Sequence, residues 1–362
     1  MLRRLFAPEH LLNWMLVFVP IAAWLHYAHG NETWVFVASA LAIVPLAGLM
    51  GRATEELAVR AGPGIGGLMN ASFGNAAELI IALMALRSGQ VEIVQASITG
   101  SIIGNLLFVF GLAVLVGGLR RDRQTFNRTA ASVGASVLFL GTVGLLVPTL
   151  VARTAGAGGA ADDRLVRLSR MIAGILLIVY LLKLLFSLRT HKHLYNEAAD
   201  AEAEHEPKWG PRTSAAVLLV ATGFTAWTAE FLVGAAEHAA GALGLSHVFV
   251  GVVIVAIVGN AAEHSTAVMV AMKDKMNLAL TIAMESSLQI ALFVAPALVF
   301  AGALFPGARP MTLRFSDLEV AAVAISVGAM SLIAQDGESN WFEGVLLLAV
   351  YGVLGVAFFF AG

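Results

Sequence analysis

Gly74-Asn75-Ala76-Ala77-Glu78 returns unchanged as Gly259-Asn260-Ala261-Ala262-Glu263. Each copy lies inside a long apolar stretch, where a carboxylate costs on the order of 2 to 3 kcal/mol even on the milder insertion scales. The surroundings repeat as well. Residues 74–111 align with 259–296 without a gap, at a constant offset of 185, and eleven of the 38 positions are identical. The identities include Ala82 with Ala267, Met84 with Met269, Ser101 with Ser286, and Leu107-Phe108-Val109 with Leu292-Phe293-Val294. A costly carboxylate at matched positions of two halves points to an ion pathway built from an internal repeat.

The rest of the chain fits that reading. Of its 362 residues 59% are hydrophobic and 13% charged, and mean hydropathy is +0.83. This excludes an ordinary soluble domain. Runs long enough to cross a bilayer recur from end to end, and without water the backbone must satisfy itself within helices. The expected fold is an all-α polytopic membrane protein of eleven transmembrane helices. They begin near Leu11, Thr33, Gly64, Val91, Thr129, Leu165, Thr213, His247, Met276, Ser316 and Asn340. The first motif falls in the third span and the second in the eighth. Five spans is an odd number, so the copies face opposite ways across the membrane. The expected division is an extra N-terminal helix over 1–30, a five-helix repeat over 31–189, an acidic cytoplasmic link over 190–212 and a second, inverted five-helix repeat over 213–362. A signal peptide is the alternative for the first run, but no convincing small-residue cleavage site follows it.

Lys and Arg set an orientation. With the N-terminus inside, fourteen fall on cytoplasmic links, among them Arg3, Arg4, Arg52, Arg60, Arg120, Arg121, Arg123 and Arg128. Seven fall outside: Arg87, Arg153, Arg164, Arg167, Arg170, Arg309 and Arg314. The excess favours a cytoplasmic N-terminus. Trp14, Trp24 and Trp34 read as interface anchors. The net charge of −2 argues for no nucleic-acid partner, and the absence of cysteine excludes disulfides, thiolate metal sites and sulfur redox chemistry.

Within each motif Asn and Glu are three apart, so Asn75 shares a helix face with Glu78, and Asn260 with Glu263. The spans that follow add oxygen donors: Gln95, Ser97, Ser101 and Asn105 in the fourth, then Glu285, Ser286, Ser287 and Gln289 in the ninth. For the serines, close helix packing beside Gly100 and Gly104 is an equal reading. Asn105, Glu285 and Gln289 each need a partner in a low-dielectric place. Carboxylates, amides and hydroxyls are hard donors. They select a hard cation such as Ca²⁺, which takes six to eight oxygens, and two carboxylates match a divalent charge. Without the cation, two carboxylates held together in a dry site cannot both stay charged, so they take up protons. Cation and protons then compete for one site, which is the logic of an exchanger.

These segments resemble the CAX family of cation/proton exchangers, within the Ca²⁺/cation antiporter superfamily. The resemblance rests on the two pentapeptides, the second extended by His264, on Gln95-Ala96-Ser97 with Gly100-Ser101, and on Ser286-Ser287-Leu288-Gln289-Ile290-Ala291-Leu292. Sodium/calcium exchangers are similar in layout but carry a Pro-Glu motif in place of Ala-Ala-Glu. The resemblance implies Ca²⁺/H⁺ antiport by alternating access. Glu78 and Glu263 would be the central ligands, with the asparagines and the Gln and Ser of the following spans around them. His264 matches the family's histidine, whereas the first copy has Leu79. His264 reads equally as tuning proton traffic or as packing.

The acidic residues Glu197, Asp200, Glu202, Glu204 and Glu206 of the link match a segment thought to gather cations in the family. A solvated linker is the plainer reading. Glu56 and Glu230 sit in loosely similar strings, and Glu230, Glu237 and His238 could line a pore entrance. No nucleophile–base set and no His-Glu-x-x-His motif supports an enzyme. No cofactor is expected beyond the transported Ca²⁺ and H⁺. Partners are the bilayer and these ions, and the place is a prokaryotic inner membrane. Exchange of Na⁺, K⁺ or Mn²⁺, or a passive cation channel, remain as alternatives.

Overall fold

Where the first apolar half begins to carry chemistry, its backbone breaks twice. In the computed structural model, which describes residues 13–154, 159–195, 207–305 and 310–361, Gly62 stands at φ 81° and ψ 171°. That region is open essentially to glycine alone. Pro63 follows, and a proline disfavours a helical residue before it while suiting the first turn of the next helix. The second break is at Gly74 and Asn75. Helix α1 spans Met15–Tyr27 and α2 spans Glu32–Gly62. A short helix α3 covers 63–73, and α4 restarts as Ala76–Arg87. The chain continues through α5 Val91–Gly118, α6 Arg128–Thr154, α7 Asp162–Thr190, α8 Pro211–Leu243, α9 His247–Met272 and α10 Met276–Leu304. It ends with α11 Asp317–Ile333 and α12 Trp341–Phe360.

Among the described residues eight helices are long and apolar enough to cross a membrane: α2, α5 to α10 and α12. At the other three expected positions the described residues form helices below that length. Helix α1 is short, the third span is divided into α3 and α4, and α11 has 17 residues. The acidic residues 197–206 lie outside the described residues.

Local chemistry sets the helix starts. The Asn31 Oδ1 accepts from the Thr33 amide at 2.9 Å. Ser316 with Glu319, and Asn340 with Glu343, form reciprocal capping boxes on α11 and α12. Helix α5 is the axis of the bundle: 83% of its central stretch is buried, against 22% for α7 and α12. Helix α9 crosses α5, α12 packs on its second half, and α11 bridges α5 and α6. Helix α10 lies against α6 and α7, and α8 runs along α2. The α5–α9 crossing is close because a Cβ on Gly100 would run into the Val252 backbone and one on Gly251 into Ala96. Small residues at crossings let membrane helices gain dispersion contacts that lipid cannot supply. On the rim, Met171, Ile175, Ile178, Leu182 and Leu185 of α7 form an exposed apolar stripe at helical spacing, as expected for a face turned to acyl chains.

Polar contacts join links that alternation through a membrane puts on one side. At one end the strands β1 Gln124–Thr125 and β2 Glu338–Ser339 pair antiparallel. There Arg121 meets Asp274 at 2.9 Å, and Glu56 accepts from the amides of Lys208 and Trp209 at 3.1 and 3.0 Å. At the other end Arg153 pairs with Asp317, and His238 lies 3.5 Å from Glu32. Glu230, Glu237 and His238 are exposed on α8.

Candidate functional site

The two pentapeptides touch. Glu78 stands in the first turn of α4, where the unpaired amides of the restarted helix favour a carboxylate. Its side chain lies against the second motif: a Cβ on Gly259 would sit 3.1 Å from the Glu78 Cγ. Asn75 precedes α4 with φ −98° and ψ 28°. The second motif is built differently, in the middle of the unbroken α9, just after a π-helical stretch over Val250–Val255. Two further π-helical stretches, Gly104–Val109 in α5 and Ile290–Val294 in α10, fall at matching positions under the offset of 185. Such turns rotate side chains off the regular helical face and recur at functional sites.

Neutral donors tie the helices into one buried network. The Ser286 hydroxyl donates to Asn75 Oδ1 at 3.0 Å. Asn260 Nδ2 donates to Ser101 Oγ at 3.0 Å. Under the offset these pair the same two positions with donor and acceptor reversed, each motif's asparagine bonded to the serine that follows the other motif. Asn105 Nδ2 donates to Ser286 Oγ at 3.0 Å and approaches Asn260 Oδ1 at 3.5 Å. Its Oδ1 meets His264 Nε2 at 3.1 Å, so that nitrogen carries the proton. Gln289 Oε1 accepts from Asn75 Nδ2 at 2.5 Å. Asn75, Asn105, Asn260 and Ser286 are all buried.

Against this satisfied frame the two carboxylates stand out. Glu78 is 7% exposed and Glu263 half-buried, yet Oε2 of each is shut from solvent and has no hydrogen-bond partner among the described residues. Buried polar atoms are rarely left so. Two acceptor oxygens, set where two helix motifs meet and with the Ser286 side chain of the network against Glu263, suit an oxygen-seeking cation or protons. Gly74, beside Asn75, is exposed, as are Ser265 and Thr266 just beyond Glu263.

The sequence candidates divide. Asn75, Glu78, Ser101, Asn105, Asn260, Glu263, His264, Ser286 and Gln289 come together. Gln95 does not join them: its amide donates to the carbonyls of Thr312 and Arg314 at 3.1 and 2.7 Å, holding the segment before α11. Ser97 lies at the Gly251 crossing, and Ser287 donates to its own helix at Ala283 O, 2.9 Å. Glu285 is ion-paired with Lys183 of α7. Lys183 escaped the reading of the sequence because the charge count followed the links. Its signal is a lysine within Leu181-Leu182-Lys183-Leu184-Leu185, since an ionisable residue inside a span asks for a partner.

A transport protein of helices with a carboxylate pair at its centre is the class this arrangement defines. The sodium/calcium exchanger protein family matches residues 31–189 and 213–360, and the chain belongs to that family. It is 47% identical to a Ca(2+)/H(+) antiporter of Aphanothece halophytica, over 96% of this chain and 95% of the relative. It is 44% identical to a vacuolar calcium ion transporter of Schizosaccharomyces pombe, over 96% and 84%. The crystal structure of the Ca2+/H+ antiporter protein YfkE superimposes with a TM-score of 0.82 at 39% identity, covering 97% of this chain and 99% of that one.

Proposed function

We propose that the protein exchanges Ca²⁺ for H⁺ across a membrane by alternating access, with Glu78 and Glu263 binding the cation or protons competitively. The observation that carries this reading is the pair of unpartnered carboxylate oxygens in the contact between the two motifs. The names of the relatives, a Ca(2+)/H(+) antiporter and a vacuolar calcium ion transporter, support the same cargo. Asn75, Asn260, Ser101, Asn105, Ser286 and Gln289 supply neutral oxygens around the carboxylates, and His264 orients Asn105. When the cation leaves, protons replace it, because two negative charges close together in a dry site repel strongly.

The finer architecture belongs to the same proposal. It comprises eleven spans, an added first helix, and two inverted five-helix halves with the link over 190–212 between them. The reciprocal asparagine–serine contacts, the matched π-helical stretches and the side-by-side meeting of alternate links support it. The proposed place is a prokaryotic cell membrane, and the Lys and Arg count argues for an N-terminus in the cytoplasm.

The test is Ca²⁺ uptake by the purified protein in proteoliposomes. Uptake is expected to need an opposing pH gradient and to fall to background in Glu78→Gln and Glu263→Gln. Uptake indifferent to collapse of the gradient would overturn the proposal. Na⁺, K⁺ and Mn²⁺, each added at a fixed gradient, report the selectivity. A competitor stronger than Ca²⁺ itself would reassign the cargo within the same family.

A further inference from the structure

One charged pair sits within the membrane-spanning helices and outside the network. Lys183 of α7 is 9% exposed, on the side of the helix opposite the apolar stripe, and ion-pairs with Glu285 of α10. One turn away Tyr180 stacks on Phe293 of α10, with centroids 5.2 Å apart and planes at 20°, so the two helices meet in a fixed register. Glu285 directly precedes Ser286, which holds Asn75. It also lies one turn before Gln289, which accepts from Asn75 as well. A bare carboxylate on the residue next to Ser286 would act on any cation held by Glu78 and Glu263.

The repeat shows what this position does elsewhere. Under the offset of 185 the counterpart of Glu285 is Gly100, which leaves room for the backbone of α9 at Val252. The matched set Asn75 and Asn260, Glu78 and Glu263, Ser101 and Ser286 is complete without it. Glu285 is therefore an addition to one half, and the same half of the membrane domain that carries it is approached by a lysine.

We propose that Lys183 is a positioning residue, whose ammonium cancels Glu285 and turns it away from the network, so that Glu78 and Glu263 alone set the charge facing the transported cation. The inference rests on the exchange reading above. A lone charge left by removal of its partner in a poorly solvated place is the costly species, whereas the neutral pair is not. The two single neutralisations therefore act on cation affinity with opposite sign, which loss of packing does not do.

The experiment measures equilibrium Ca²⁺ binding, together with the Ca²⁺ KM and maximal rate, on the full-length protein. Lys183→Met frees a third carboxylate and is expected to tighten binding about tenfold while slowing turnover. Glu285→Gln removes the carboxylate that Lys183 faces while keeping the ammonium, and is expected to weaken binding about tenfold. The double variant Lys183→Met/Glu285→Gln is expected to return to wild-type affinity and rate. Lys183→Arg, which keeps the charge, is expected to match wild type. A double variant as weak as Glu285→Gln, or single variants that shift affinity in the same direction, would overturn the proposal. If a single variant does not fold, the double variant decides by itself: wild-type affinity supports the proposal and weakened affinity removes it. Wild-type uptake indifferent to the proton gradient would sink the exchange reading, while the binding pattern still judges Lys183.

Discussion

Glu78 and Glu263 each carry a carboxylate oxygen with no hydrogen-bond partner among the described residues, and a chain selected only for stability would not keep them. Replacing either by glutamine removes a charge that is expensive to bury. Each variant is expected to lose Ca²⁺ uptake by about a hundredfold or more, the scale of one charge in a low-dielectric site. The melting temperature is expected to stay level or rise, which a thermal-shift assay in detergent checks. Gly259 offers a steric counterpart. A Cβ there stands 3.1 Å from the Glu78 Cγ, so Gly259→Val must displace the carboxylate and is expected to cut uptake about tenfold, an isopropyl group in a filled place costing on the order of 1–3 kcal/mol. Gly352→Ala, with no atom within 4 Å of the added carbon, is expected to transport normally. At this scale the sequence showed which residues were unusual but not what they faced. Spacing of four put Glu285 on the face of Gln289, yet spacing along one helix does not name the neighbour opposite. Lys183, from a helix more than a hundred residues earlier, decides where Glu285 goes, as Thr312 and Arg314 decide it for Gln95.

At the scale of elements, the motifs sit on unlike supports. The first follows a break and opens a new helix, and the second lies within a continuous one. The break at Gly62 was legible, because Gly-Pro interrupts any apolar helix. The division at Gly74 was hinted at by the glycine alone. The π-helical stretches were not legible, since an inserted residue in a helix leaves no mark in apolar periodicity. The conformation of Gly62, at φ 81° and ψ 171°, gives a direct expectation. Gly62→Ala forces a side chain into a region that only glycine occupies without strain, at a cost of about 1–3 kcal/mol. The variant is expected to melt several degrees lower than wild type. If the segment over 63–73 turns about this point during transport, the maximal rate falls further than the Ca²⁺ affinity does, which initial-rate measurements separate.

For the molecule as a whole, the helical membrane fold was legible in its apolar runs. Length fixed which runs could cross a bilayer. Among the described residues α11 is held to 17 residues from its Ser316 capping box onward, and glycines break the stretch over 62–75 into α3 and α4. If cation and protons compete for one pair of carboxylates, as proposed, acidity on the side from which Ca²⁺ enters has a definite effect. Protons there occupy the groups the cation needs, so lowering the pH on that side raises the apparent KM for Ca²⁺ and leaves the maximal rate reachable at saturating Ca²⁺. Acid on the opposite side, where protons must load, raises the rate instead. Initial rates with the two pH values varied independently check both signs. Loss of maximal rate without change in KM would speak against a shared site.

The crossed contacts of Asn75 with Ser286 and of Asn260 with Ser101 also bear on how the chain is made. During synthesis the first motif is threaded into the membrane long before the serine that holds it has left the ribosome. Its asparagine and glutamate must wait in lipid or in the insertion machinery until residue 286 arrives. A chain ended before residue 286 therefore leaves Asn75 without the hydroxyl and the amide oxygen that hold it in the complete fold.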